Sequence, residues 1–141
     1  MPCRIVLDTS VLISGLYSRR GASFQVLSML GGKTFEISVS VPLVLEYEAV
    51  ARAKALELGL AHADVDDVIH YLCSVADRRL IFLLWRPFLR NAGDDMVLEV
   101  AVEAECHFIV THNLRDFAGS ERFRVRPVSP GDFLRLLGGE R

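Results

Sequence analysis

Several of the simplest ways to bind a partner are missing from this sequence. There is no excess of positive charge: Lys and Arg together number 16 against 18 Asp and Glu, for a formal net charge of −2 at pH 7. Gripping nucleic acid by bulk charge is therefore excluded, and any such role needs a metal ion or a local basic patch. Cysteine is scarce, and Cys3, Cys73 and Cys106 form neither a Cys-x-x-Cys pair nor a zinc-ligand spacing with the histidines. That excludes a disulfide scaffold and a structural zinc site, and predicts reduced, buried thiols. Apolar runs such as Leu80 to Trp85 fall far short of the ~18 residues that span a bilayer. The opening Met-Pro-Cys-Arg lacks the basic and long apolar regions of a leader. A soluble, cytoplasmic protein without a membrane partner is expected. Internal repeats, low-complexity tracts and linkers are absent too.

What is present is a chain of 141 residues, 51% hydrophobic, long enough for one domain that buries roughly 70% of its unfolded surface. Arg4 to Leu7 reads as a strand ending at Asp8, and Thr9 to Tyr17 carries Val11, Leu12 and Leu16 at helical spacing. Phe24 to Leu30 predicts a helix stopped by Gly31-Gly32. Phe35, Ile37, Val39 and Val41 alternate with polar residues, as in a strand, and Leu43 to Ala55 follows as a helix behind Pro42. Asp64 to Ala76 predicts another helix, Leu80 to Leu84 a buried strand, and Asp94 or Asp95 opens a further helix. Phe108 to Val110 and Arg124 to Val128 read as strands, and Pro130 to Leu137 as a closing helix. Strands alternating with helices imply an α/β sandwich on a mainly parallel sheet.

In open parallel sheets, ligands bind beyond the carboxyl ends of the strands, where strand order reverses. Four segments remote in sequence put polar groups at such positions. Asp8 follows the first strand, Glu46 lies in the first turns after the second, Asp94-Asp95 open a helix, and Asn113 and Asp116 follow Phe108 to Val110. Gathered together, these like charges would need a hard divalent cation, Mg²⁺ or Mn²⁺. Each position also has a plainer reading. Asp8-Thr9-Ser10, Asp94 and Asp95 are good helix caps, Glu46 and Glu48 suit a solvated helix face, and Asp116 suits a turn. The joint pattern favours a site. Sharper motifs fail: Gly31-Gly32-Lys33-Thr34 lacks the earlier glycine of a phosphate-binding loop, which would fall at Leu27. His107 and His112 have no nucleophile elbow nearby, although His112 lies close enough to touch a substrate.

Ile5-Val-Leu-Asp-Thr-Ser-Val-Leu-Ile13, Ser40-Val-Pro-Leu-Val-Leu-Glu-Tyr47, Asp94-Asp-Met-Val-Leu-Glu-Val-Ala101 and Ile109-Val-Thr-His-Asn-Leu-Arg-Asp-Phe117 closely resemble the four signature blocks of PIN-domain nucleases. The nearest match is the VapC-type branch, the toxins of toxin–antitoxin pairs. The resemblance implies a PIN-like three-layer sandwich with helices flanking the sheet, a single domain over residues 1–141, and a metal-dependent endoribonuclease using Mg²⁺ or Mn²⁺. It implies Asp8, Glu46, Asp95 and Asp116 as the catalytic, metal-holding acids. Asp95 rather than Asp94 takes the place of the family's acid, counting back from Thr111. Asn113 stands where many relatives carry aspartate and becomes a supporting group, with Thr9, Ser10 and Arg115 as further supporting or substrate-contacting residues. Glu99, one turn beyond Asp95, reads as an outer ligand or, the preferred reading, as a solvated helix charge.

In such a site the acids hold a cation that activates water for in-line attack on a phosphodiester. Arginines, 14 of the 16 basic residues, would grip phosphates. Arg19, Arg20 and Arg115 are expected to flank the site, and Arg122, Arg124 and Arg126 to extend it or to form a solvated face. The expected partners are RNA, a cognate antitoxin and a second copy of the chain, the last from apolar faces around Phe24 to Leu30 and Val65 to Val75. The alternatives are a catalytically inactive PIN-like RNA- or protein-binding module and a housekeeping RNA-processing nuclease. If acids dominate the site, the metal-free protein should bind RNA poorly, and filter binding in EDTA against Mg²⁺ checks this.

Overall fold

A computed structural model describes residues 2–81, 89 and 92–139. Cys3–Leu7 forms β1, and the chain turns at Asp8 into α1 (Thr9–Tyr17), α2 (Ala22–Ser28) and β2 (Phe35–Val39). Then come α3 (Val41–Ala53), α4 (Ala55–Leu58), α5 (His62–Val75) and the two-residue β3 (Asp77–Arg78). The remainder is α6 (Ala92–Glu103), β4 (Phe108–Val110), 3-10 turns at Leu114–Phe117 and Ser120–Phe123, β5 (Arg126–Val128) and α7 (Pro130–Leu137). The boundaries have local causes. Ser40 Oγ accepts the Leu43 N–H at 3.2 Å at the start of α3, with Pro42 in the first turn. Ser129 does the same for Asp132 at 3.1 Å ahead of Pro130; both are serine caps with proline where no donor is required. Gly31, at φ +82°, takes the left-handed turn after α2 that a side chain would resist.

The five strands pair in the order β3-β2-β1-β4-β5, every pairing parallel. Ile5, Val6 and Leu7 in β1 are all fully buried. Consecutive strand residues point to opposite faces, so both faces of the central strand are covered and the sandwich has three layers. α6 packs on β1, β2 and β4, while α1 packs on α2 and α3. Gly15 lies where α1 meets α2, and a Cβ there would stand 2.3 Å from Leu27 Cδ1 and 3.2 Å from the Ser23 carbonyl. The chain leaves β1 for β2 on one side and returns to β4 on the other. The order therefore reverses at β1, and the crevice beyond the ends of β1 and β4 is where a ligand fits.

Some sequence expectations shift. Val41 begins α3 and is 67% exposed instead of continuing the strand, because Ser40 caps the helix and ends the alternation. A short strand, β3, precedes the segment expected as a strand over Leu80 to Leu84: Asp77 and Arg78 pair with Ser38 and Val39, and neither Leu80 nor Ile81 joins the sheet. The backbone N–H of Arg79 closes that pairing on the Val39 carbonyl at 2.8 Å. Pairing at this sheet edge follows backbone reach and not apolarity; residues 82–84 lie outside the described residues. The helix expected from Asp94 or Asp95 starts earlier, at Ala92, which puts both acids inside its first turn. The last strand begins at Arg126, since Arg124 adopts φ +65°.

At the opposite end of the sheet from the crevice, Phe133 of α7 is fully buried, with ring centroids 5.3 Å from Phe35 and 6.0 Å from Phe108 in edge-on contacts. Phe133→Ala removes both contacts and leaves a cavity, and should cost about 3–5 kcal/mol. A urea titration followed by circular dichroism measures this.

Candidate active site

Asp8 terminates β1 and occupies the N-cap position of α1, yet its side chain makes no capping hydrogen bond. The carboxylate turns across the crevice instead. Its Oδ2 accepts the Ser10 hydroxyl at 2.7 Å and the Thr111 hydroxyl at 2.7 Å. Each hydroxyl in turn accepts a backbone N–H of the loop after β4, Ser10 from His112 at 3.3 Å and Thr111 from Asn113 at 2.9 Å. With Oδ2 saturated, Oδ1 has no hydrogen-bond partner among the described residues. The capping reading of Asp8 thus gives way to an oriented carboxylate with one oxygen available. Ser10 orients it as expected, whereas the role of the fully buried Thr111 was missed. A lone threonine after a strand carries no signal of the aspartate it will meet 103 positions away.

The loop after β4 is fastened a second way. His112 Nε2 lies 2.7 Å from the hydroxyl of Ser23, a residue only 3% exposed near the start of α2. Arg19 and Arg20 are exposed in the turn leading into that helix. Asn113, Arg115 and Asp116 are exposed beyond the fastening, on the 3-10 turn and its N-cap, which the buried Phe117 anchors. Arg126 is different: at the N-terminal end of β5, opposite Phe108, it lies at the end of the sheet away from Asp8 and does not flank the site.

Glu46 is half-buried on α3. Its neighbour Tyr47 is fully buried and donates its hydroxyl to the Leu7 carbonyl at 2.5 Å, tying α3 to the residue before Asp8. Burial, with the Asp8 carboxylate nearby, pushes the Tyr47 hydroxyl well above its ordinary range, so it remains a donor. Tyr47 is a second residue the sequence concealed, because it continues the apolar period of the helix.

The two acids of α6 have different surroundings. Asp95 is 1% exposed and its Oδ1 accepts the Leu89 N–H at 2.8 Å, holding the chain ahead of the helix. Asp94 is half-buried and its carboxyl is pushed from its ordinary 3.8 up to about 6. Burial contributes most, followed by the negative charges of Asp8, Asp116, Asp95 and Glu46. Acids of three other segments, and the adjacent Asp95, thus bear electrostatically on Asp94. Glu99 is 2% exposed, which corrects its reading as a solvated charge: it faces the core side of α6.

Oxygen donors of this type fit a hard divalent cation, and their mutual repulsion is what such a cation relieves. Among the described residues, no three His, Cys, Asp or Glu side chains are already gathered closely enough to hold a metal ion. The donor set fits such a cation in its chemistry. Cys106, the buried thiol, is raised to about 12 by burial and is inert as a nucleophile.

Folding raises the Asp94 pKa, so the folded state binds that proton more tightly than the unfolded one. Its stabilising contribution is complete below about pH 4 and disappears as pH rises through 6. Near pH 7 the metal-free protein carries this repulsion. Discounted to about 1 kcal/mol for solvent screening, it predicts a Tm about 3 °C higher for Asp94→Asn by thermal denaturation in EDTA.

Among the described residues, no helix is long and apolar enough to cross a membrane. No curated protein shows significant similarity to the chain. The PIN domain family model matches residues 4–115, a span that takes in β1, the crevice and every acid described above except Asp116, which follows it directly. PIN domains are generally nucleases and usually bind divalent metals such as Mg²⁺. With the sheet reversing at β1 and the acids collected at that reversal, the match over most of the chain has its physical counterpart: this protein belongs to the PIN domain family.

Proposed function

We propose that this protein, a single domain over residues 1–141, is a Mg²⁺- or Mn²⁺-dependent endoribonuclease working in the cytoplasm as the toxin of a toxin–antitoxin pair. One observation above all supports the nuclease reading: carboxylates from three remote segments, with the adjacent Asp95, bear on Asp94 near the reversal of strand order. The toxin assignment rests on the four sequence blocks. An apolar groove of about 350 Å³, where Leu16 and Phe24 face Val68 and Tyr71 of α5, supports a protein partner, an antitoxin or a second copy.

In this reading Asp8, Glu46 and Asp116 hold the cation together with the acid pair of α6. Within that pair Asp95 holds the cation and also keeps the chain at Leu89 in place, with the Asp94 carboxyl beside it. A divalent cation, when bound, supplies Lewis-acid charge to an attacking water and to the phosphoryl oxygens. Ser10 and Thr111 keep Oδ2 of Asp8 occupied, so that Oδ1 is the oxygen it offers. Thr9 and Asn113 are polar groups beside the phosphate, and Arg115 on the exposed turn supplies a guanidinium fork for it.

The test pairs cleavage with a binding measurement. Wild type should cut RNA only with Mg²⁺ or Mn²⁺, and Mg²⁺ should raise its Tm. Asp8→Asn and Asp95→Asn, the latter still offering Leu89 an acceptor, should lose both effects while remaining folded. Metal-dependent cleavage surviving in Asp8→Asn would overturn the assignment.

A further inference from the structure

A second feature begins at the candidate site and leads away from it. Thr9, Ser10, Ile13, Ser14 and Tyr17 recur at the spacing of one helical face of α1. They line one wall of a groove of about 370 Å³ whose other wall is Val50 and the α3–α4 junction around Lys54. Ser10 belongs to both places, since its hydroxyl also holds Asp8. From Thr9 to Tyr17 the helix rises about 12 Å, so the groove is a track leaving the reacting centre.

The groups along it are uncommitted. Tyr17 is 71% exposed, and neither its hydroxyl nor those of Thr9 and Ser14 has a hydrogen-bond partner among the described residues. Lys54, one of only two lysines in the chain, is exposed and makes no ion pair among them. Ile13 and Val50 supply an apolar floor. An exposed ring, a row of hydroxyls and an isolated ammonium beside a phosphodiester-cleaving site suit unpaired nucleotides, which present both a π-face and a backbone charge. A duplex keeps its bases stacked and has no face for the ring.

We propose that this groove binds the single-stranded RNA flanking the scissile phosphate, with the Tyr17 ring stacking on a base and Lys54 meeting a backbone phosphate. The assignment rests on the nuclease reading. Glu57, one turn beyond Lys54 at the rim, is the unfavourable charge that limits affinity along the track.

The test is fluorescence anisotropy of the full-length protein with a labelled single-stranded RNA in Ca²⁺, beside cleavage kinetics in Mg²⁺. Tyr17→Ala should weaken RNA binding and raise KM about tenfold with kcat little changed. Lys54→Ala should do likewise and reduce the slope of log affinity against log salt by about 0.7. Glu57→Gln should tighten binding about threefold, an outcome that damage to the fold cannot mimic. Lys33→Ala, in the turn before β2 at the far end of the sheet, should change nothing. The inference is overturned if Tyr17→Ala and Lys54→Ala bind as wild type does, or if Lys33→Ala weakens binding as much as Lys54→Ala. A wild type that binds RNA through Tyr17 and Lys54 but never cleaves it would instead sink the nuclease reading and leave the groove standing.

Discussion

The site is organised by one oxygen atom. Oδ2 of Asp8 receives the hydroxyls of Ser10 and Thr111, and those hydroxyls receive the backbone N–H groups of His112 and Asn113. Four hydrogen bonds thus join the end of β1, the start of α1 and the loop after β4. These are the segments that diverge where strand order reverses, and such reversal points open a crevice because the two following connections leave in opposite directions. The network closes the base of that crevice and leaves its mouth lined by carboxylates. Tyr47, donating to the Leu7 carbonyl, brings the middle of α3 to the same point.

Gathering acids in this way works against the fold that gathers them. Asp94 is held near a pKa of about 6 by burial and by four neighbouring negative charges, so the metal-free protein keeps repulsion that an apolar or amide side chain would not. Stability is placed elsewhere: in both faces of β1, in the Phe35–Phe133–Phe108 cluster at the opposite end of the sheet, and in serine caps ahead of proline. The chain thus separates a rigid, apolar end from an end that is electrostatically strained until its charge is neutralised.

Much of this was legible from residue order. The spans of α1, β4 and α7 coincide with the sequence reading, because each has an unambiguous period and a clear stop. The acids Asp8, Glu46, Asp94, Asp95 and Asp116 were visible as carboxylates at the ends of elements. Ser10 could be paired with Asp8 because it is two residues away. What failed to show were partners set by distance in sequence: Thr111 for Asp8, Ser23 for His112, Tyr47 for Leu7. Residues such as Tyr47 and Glu99 also sit in helical periods that predict a plain core or surface role. β3 went unseen because Asp77 and Arg78 are charged, whereas the edge of β2 pairs through backbone groups that side-chain polarity does not mark.

The net charge reads differently once the acids are placed. An excess of acids argues against a nucleic-acid partner only if they are spread over the surface, and here the charges of Asp8, Asp116, Asp95 and Glu46 all bear on Asp94. Residue order by itself determined the alternation of strand and helix, the apolar Ile5–Leu7 run of the central strand and the supply of carboxylates, because those depend on local periodicity and side-chain chemistry. Only the tertiary structure decided which strand is the pivot of the sheet, which oxygen of Asp8 is left open and how deeply each acid of the Asp94–Asp95 pair is buried. Those outcomes depend on strand order and on the few ångströms between side chains brought together from opposite ends of the chain, which no local pattern encodes.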